Sequence, residues 1–198
     1  MHNRYHIHKP EQCFSGRIIA TAFALTLLTA SFMISRSSSV YADTRPVDEY
    51  QVKAAFLYNF ANFVEWPAKA FQDSNDPLVI GILGNDNLAD ITDRMVRNKT
   101  VNGRKLVVKR FQKPKDICKC HILFLSSSEK NQQRTILKSL EGANTLTVGE
   151  TDDFTRCGGM INLITESRVR LEINVAAARK CSLTISSKLL RLAKVVER

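Results

Sequence analysis

The sequence predicts an α/β fold, a single-domain sandwich with a largely parallel central sheet, a late antiparallel hairpin and helices on both faces. Three observations carry that prediction. The short apolar runs LVIGILG (78–84), HILFL (121–125) and TLTV (145–148) alternate with stretches of helical period, and such alternation indicates crossover units around a parallel sheet. MINLITESRVRLEIN (160–174) departs from that pattern, as two strand-like runs about a short polar turn. Residues 43–198, which number 198 − 42 = 156, suit one domain with its own core.

The boundary at residue 42 comes from the N-terminus. A basic, His-containing leader precedes IIATAFALTLLTASFMI (18–34) and then SRSSSVYADT, where Val40 and Ala42 stand as the small residues of a cleavage site. Residues 1–42 therefore read as a signal peptide, and residues 43–198 as the exported α/β domain. The competing reading is an uncleaved anchor, because the apolar run approaches spanning length. Both readings place the domain in an oxidising compartment.

The first helix of the domain is YQVKAAFLYNFANFVEWP (50–67), apolar almost all the way round. Val52, Phe56, Phe60, Phe63 and Val64 form one stripe, while Ala54, Ala55, Leu57, Tyr58 and Ala61 cover much of the rest. A surface helix keeps a polar face, so two burying surfaces are expected: the sheet for Phe56, Phe60 and Phe63, and a second element or a partner protomer of a homo-dimer for Leu57, Tyr58 and Ala61. A membrane span is excluded, since the run is short and carries Lys53, Asn59, Asn62 and Glu65.

The later elements follow from punctuation. QDSNDP turns the chain into the strand 78–84, and Asn85 or Asp86 caps a helix through Leu88, Ile91 and Met95. NGRK turns it again into KLVVKRF. After HILFL, Ser127 or Ser128 caps a helix through Ile136, Leu137 and Leu140 that stops at Gly142, and TLTVGE is the fourth strand. In the hairpin, Val169, Leu171 and Ile173 point inward, and Arg168, Arg170, Glu172 and Asn174 make a wet face. A short helix around AAARK and a final one over SSKLLRLAKVV, capped by Ser186 or Ser187 with Leu189, Leu190, Ala193 and Val196 on one side, close the domain.

Charge narrows the partners. Loss of Arg4, Lys9, Arg17 and Arg36 against Glu11 takes the formal charge from +10 to +7, and eight Lys or Arg residues lie from Arg168 onward against Glu172 and Glu197. An exported chain does not meet nucleic acid, so none is expected. The basic end is either a solvated face or a surface for an acidic partner. Cys118, Cys120, Cys157 and Cys181 remain after cleavage, an even count that predicts at least one disulfide, with Cys157 or Cys181 holding the hairpin region. The spacing lacks paired C-x-x-C knuckles, so no zinc site is expected.

Catalytic furniture is missing. Gly81 and Gly84 do not make G-x-G-x-x-G, and no P-loop lysine follows them. Ser126, Ser127 and Ser128 stand where a receiver domain would carry its aspartate, and no G-x-S-x-G elbow surrounds them. The domain's single histidine, His121, adjoins Cys120 but points to the opposite face of an extended chain, which disfavours a couple. Asp152 and Asp153 belong to a polar loop, where capping or solvation explains them. No cofactor is implied. The alternative class is a soluble periplasmic small-molecule or nucleotide-binding protein or enzyme using GILGNDN and the nearby serines, and a third is a membrane-anchored structural protein.

The segments VKAAFLYNFANFVEWP, CHILFLSSSE and GGMINLITESRVRLEINVAAARKCSLTISSKLLRLAKVV together resemble the YfiR-like family of small exported proteins, from Tyr50 to about Val196, essentially all of the mature chain. The resemblance implies a compact α/β sandwich and a regulatory, non-catalytic role. Its namesake holds a membrane-bound diguanylate cyclase inactive by binding the cyclase's periplasmic sensor domain, and an outer-membrane lipoprotein draws it away, which places the expected role in cyclic di-GMP signalling. Cys120 and Cys157 fall at family positions while Cys118 and Cys181 are extra, so no pairing is carried over. The partner surface expected here is the basic C-terminal unit: Arg168, Arg170 and Glu172 on the hairpin, with Arg179, Lys180, Lys188 and Arg191 following.

Overall fold

The computed structural model describes residues 49–166 and 169–196; the leader and Arg168 lie outside them. Helix α1, Glu49–Phe63, runs into strand β1, Val64–Glu65. The helix buries Lys53, Ala54, Leu57, Phe60 and Ala61. The expected division of its faces is thus corrected: Leu57 and Ala61 lie at the centre of the contact, with Phe60 between them, whereas Phe56, Tyr58 and Phe63 are half-buried at its margins. Much of the second burying surface is the next helix, since α1 packs along it as well as over the sheet.

Strand β2, Leu78–Leu83, is buried at every position, and Asn85 caps α2, Asp86–Val96, by accepting from Leu88 N at 2.9 Å. The two-residue strand β3, Thr100–Val101, turns at Asn102 and Gly103, both at positive φ, into β4, Arg104–Phe111, in the tight hairpin geometry such a pair favours. Strand β5, Ile122–Leu125, leads to α3, Gln133–Ser139, and β6, Leu146–Gly149. Here Ser126 caps only a single 3-10 turn, Ser127–Glu129, and α3 begins later at an uncapped Gln132, a shift from the expected cap at Ser127 or Ser128.

The hairpin is β7, Ile161–Thr165, and β8, Val169–Asn174, followed by α4, Val175–Lys180, β9, Thr184–Ile185, α5, Ser187–Leu190, and β10, Ala193–Val196. The expected final helix over SSKLLRLAKVV is therefore corrected to one turn and a strand. The outer strand of the hairpin leaves an unpaired backbone edge, and Ala193–Val196, with two valines at its end, lies parallel along β8 rather than continuing the helix. The hairpin is also drier than its alternation implies: Asn174 is buried, and its side chain caps α4 and donates to Thr155 O at 3.2 Å.

The eight-stranded sheet has the order β10-β8-β7-β6-β5-β2-β4-β3, parallel except at the β7/β8 and β3/β4 pairs; β1 and β9 form a separate antiparallel pair. One face buries Ile80, Ile82, Phe124 and Val148 under α1 and α2, and the other buries Val79, Leu83, Leu123 and Leu125 with Ile136, Leu137 and Phe154. From β2 the chain reaches β4 on one side through α2, then returns to place β5 on the other side. The crevice between β2 and β5 at their carboxyl ends is therefore a topological switch point.

Candidate functional site

A polar cavity of about 610 Å³ opens at the carboxyl ends of β2, β5, β6 and β7. Each wall comes from the residues that leave a strand: Asn85 after β2, Ser126, Ser127 and Ser128 after β5, Glu150 and Asp152 after β6. Asn162, Ile164 and Thr165 of β7 and Glu49, Tyr50 and Lys53 of α1 complete it. Gly84, at φ +79°, lets β2 turn away against the serine loop, where a Cβ would overlap Ser128 Oγ.

Lys53 is the centre of the arrangement. It is 4% exposed and its Nζ lies 2.5 Å from both Glu49 Oε1 and Glu150 Oε2. Burial lowers the ammonium's pKa, but hydrogen bonds to Glu150 and Glu49 outweigh it and hold the group above its ordinary value. The bond from Lys53 in turn holds Glu49 below the usual carboxylate range. Glu150 also accepts from Ser127 N at 2.8 Å and from Ser126 Oγ at 3.4 Å, and Glu49 from Thr165 Oγ1 at 3.0 Å. Asn162, 1% exposed, donates from Nδ2 to Thr151 O at 2.8 Å, whereas its Oδ1 has no hydrogen-bond partner among the described residues.

This chemistry suits neither acyl transfer nor phosphate binding. His121 lies at the amino end of β5 and the serines at its carboxyl end, so base and hydroxyl sit at opposite ends of one strand. The ring is consumed structurally: Nδ1 accepts from Val79 N at 3.0 Å, Nε2 lies 3.3 Å from Ala70 O, and Phe71 stacks on it at 4.4 Å. Burial lowers its pKa, despite the opposing bond to Ala70. For a phosphate, the loop amide of Ser127 is already taken by Glu150, and three lining carboxylates would repel the anion. Among the described residues no group of three or more His, Cys, Asp or Glu side chains could hold a metal ion.

The C-terminal residues expected to bind a partner divide. Arg170 is 52% exposed, pairs with Glu166 at 2.5 Å, and lines a hollow of about 550 Å³ with Phe56, Ile164, Val169, Leu171, Leu192 and Lys194. Leu192 is 74% exposed and Val195 43%. Glu172 turns inward: its side chain is 13% exposed, receives Thr155 Oγ1, and lies 3.2 Å from Lys194 Nζ. Arg179, Lys188 and Arg191 are exposed on α4, on α5 and just past it, and do not line that hollow. Arg168 lies outside the described residues.

The expected disulfide is not seen: Cys118, Cys120, Cys157 and Cys181 are free thiols in the structure. Cys181 is buried in the core on the α1 side of the sheet, Cys120 is buried on the α3 side, and Cys118 is exposed. Cys157 packs at the edge of the α3-side core, its Sγ 3.5 Å from Asp153 Oδ2 and 3.8 Å from Arg134 Nη2.

Lys53, Glu150 and Asn162 escaped the sequence reading. The available signals were a lysine interrupting an otherwise apolar helix and a glutamate directly after the strand TLTV. Asn162 has no such signal, since one polar residue in a strand usually marks a wet face.

A family model described as YfiR/HmsC-like matches residues 50–194, from the second residue of α1 into β10. The chain belongs to the YfiR/HmsC-like family. The family's general character is that of periplasmic regulators. No curated protein matches the sequence. Among solved structures, a conserved domain protein from Vibrio cholerae O1 biovar eltor str. N16961 superposes with a TM-score of 0.53 at 14% identity, over 74% of this chain and 60% of that one. A second, the ABC domain in complex with L-Trp from Streptococcus pneumonia, has a TM-score of 0.48 at 11% identity over the same shares. This YfiR/HmsC-like chain thus spans 60% of the length of each, and the first likeness establishes the α/β fold. No helix among the described residues is long and apolar enough to cross a membrane.

Proposed function

We propose that this protein is a non-catalytic periplasmic repressor that binds the periplasmic sensor domain of a membrane signalling protein, a diguanylate cyclase in the simplest case. The observation that carries the reading is the family match over residues 50–194, which takes in almost the whole described domain. The separation of His121 from the serines supports a binding role over a catalytic one. In this reading residues 1–42 are a cleaved signal peptide, and an outer-membrane lipoprotein competes for the repressor.

The docking surface we assign is the β10 edge of the sheet. Leu192 and Val195 supply exposed apolar area there, Arg170 and Lys194 supply positive charge, and an acidic sensor domain would find both steering and anchorage. Arg179, Lys188 and Arg191 extend the basic field, while Glu172 serves to hold Lys194 in place. The test is Arg170→Glu combined with Leu192→Asp. Both side chains are exposed, so folding is expected to persist, affinity for the sensor domain to fall and repression of the cyclase to be relieved. A folded double variant that binds and represses like the parent, with the same salt dependence, sinks this surface. N-terminal sequencing of the protein recovered from the periplasm tests the cleavage, with a start at Asp43 expected.

A further inference from the structure

The alternation of β4 sorts its cations onto two faces. Arg104, Leu106, Val108 and Arg110 share one face, and Lys105, Val107, Lys109 and Phe111 share the other. Both arginines are committed within the molecule: Arg104 donates to Asp73 O at 2.9 Å and to Asp76 O at 2.8 Å and lies over the Phe71 ring, and Arg110 pairs with Asp90 at 2.5 Å. The lysine face has no such commitments. Phe111 is buried there in the α3-side core, yet Lys105 and Lys109 are exposed and Val107 between them is 39% exposed, so the described chain leaves this part of the sheet uncovered.

The crossover from β4 to β5 continues the same surface. The sheet order puts β2 between the two strands, and Ile117 packs on the α3-side core, so residues 112–120 pass over that face. Lys113, Lys115 and Lys119 of the crossover are all exposed. Lys109 Nζ lies 3.5 Å from Cys118 Sγ, which joins the lysines of the strand to those of the crossover. None of the five lysines has an ion-pair partner among the described residues. Between positions 104 and 120 the one acid is Asp116, against seven Lys or Arg.

The kind of cation decides the kind of partner. Protein interfaces are depleted in lysine and anchored by aromatic and arginine side chains, whereas this face offers five lysines and one exposed apolar residue, Val107. A lysine is a strongly hydrated point charge on a flexible stem. That suits a fluid field of anionic headgroups better than fixed bidentate recognition, and each lysine near such a surface adds to binding. We infer that the face formed by Lys105, Lys109, Lys113, Lys115 and Lys119 lies against the anionic phospholipid headgroups of a membrane bordering the periplasm. The inference rests on the family's periplasmic character and not on the sensor-domain reading. Strand β10 is the opposite edge of the sheet, so both surfaces can be occupied together.

Sedimentation of the protein recovered from the periplasm with vesicles of equal parts phosphatidylglycerol and phosphatidylcholine, against phosphatidylcholine alone, tests the inference. Binding to the anionic vesicles only is expected, present at about 0.05 M salt and lost at about 0.5 M. Lys105→Gln with Lys109→Gln and Lys113→Gln changes exposed side chains alone and is expected to lower the partition coefficient about tenfold or more. If that variant does not melt like the parent, Lys115→Gln with Lys119→Gln takes its place, with a smaller loss expected. Arg170→Glu with Leu192→Asp lowers the formal charge by the same three units at the far edge of the sheet, and is expected to leave vesicle binding nearly unchanged. No binding to anionic vesicles, equal binding to neutral ones, undiminished binding by the lysine variant, or an equal loss in the two charge-matched variants overturns the assignment. Retention on polyglutamate without vesicle binding would give the face to an acidic protein and likewise overturns it.

Discussion

Lys53 on α1 and Glu150 at the end of β6, 97 positions apart, meet in a 2.5 Å ion pair at the wall of the cavity. The pair ties the start of the first helix to the carboxyl edge of the sheet, with the Glu150 side chain only 9% exposed. Removing one partner strands the other charge in a poorly solvated place, and that usually costs more than the pair itself contributes. Lys53→Met is expected to destabilise the protein by about 3 kcal/mol, measured by urea unfolding. Adding Glu150→Gln, which keeps an acceptor for Ser127 N, is expected to recover most of the loss; no recovery would mean that Lys53 acts through its packing alone.

The pH dependence of stability is expected to carry the mark of His121. Its pKa is lowered in the folded protein, by burial first, while the unfolded chain titrates near 6.5. Below that value the unfolded state binds the proton more readily than the folded state, so stability falls as pH drops from about 6.5 and is regained on raising it. Urea midpoints between pH 7.5 and 5 should follow this course in the parent and flatten in His121→Gln. Equal slopes in both would show that other groups dominate.

Phe154 is fully buried with its ring laid against Gly149 and Gly159, where a Cβ at either position would overlap ring carbons. The ring cannot retreat into a packed core. Gly149→Ala is expected to cost about 1–3 kcal/mol through overpacking, and Phe154→Ala about 3–5 kcal/mol through the cavity it leaves. Calorimetric melting of the two variants checks both, and a neutral Gly149→Ala would show that the ring has room to shift.

Thiol reactivity should divide by exposure. Cys118 is exposed, whereas Cys120 is buried and its pKa is pushed up to about 12, by burial first and then by neighbouring Cys118. Iodoacetamide at neutral pH is expected to label Cys118 in the native protein and to reach Cys120 only after denaturation. Peptide mapping of the non-reduced protein should find no cystine among Cys118, Cys120, Cys157 and Cys181. A bridged peptide would contradict the free thiols.

The residues that were legible in the sequence are those whose local pattern and tertiary fate agree. LVIGILG and HILFL become central parallel strands because an all-apolar run of that length must be covered on both faces. Asn85 caps α2 and Asn102-Gly103 turns β3 into β4 because those roles rest on neighbouring backbone atoms. The family resemblance was legible for the same reason, being carried by contiguous segments.

The sequence by itself determined the α/β class and the mostly parallel sheet with its late hairpin, since each follows from periodicity and turn residues within a short window. Tertiary structure decided the rest. LRLAKVV carries helical spacing, yet its last four residues became a strand because β8 offered an unpaired edge. The cysteines were placed by tertiary packing too, Cys181 on the α1 side of the sheet, Cys120 and Cys157 on the α3 side but before β5 and after β6, and Cys118 at the surface. Lys53, Glu150 and Asn162 come together only because the start of α1, the end of β6 and β7 meet at the same rim, and long-range electrostatic and hydrogen-bond partners leave no periodic trace in the chain that brings them together.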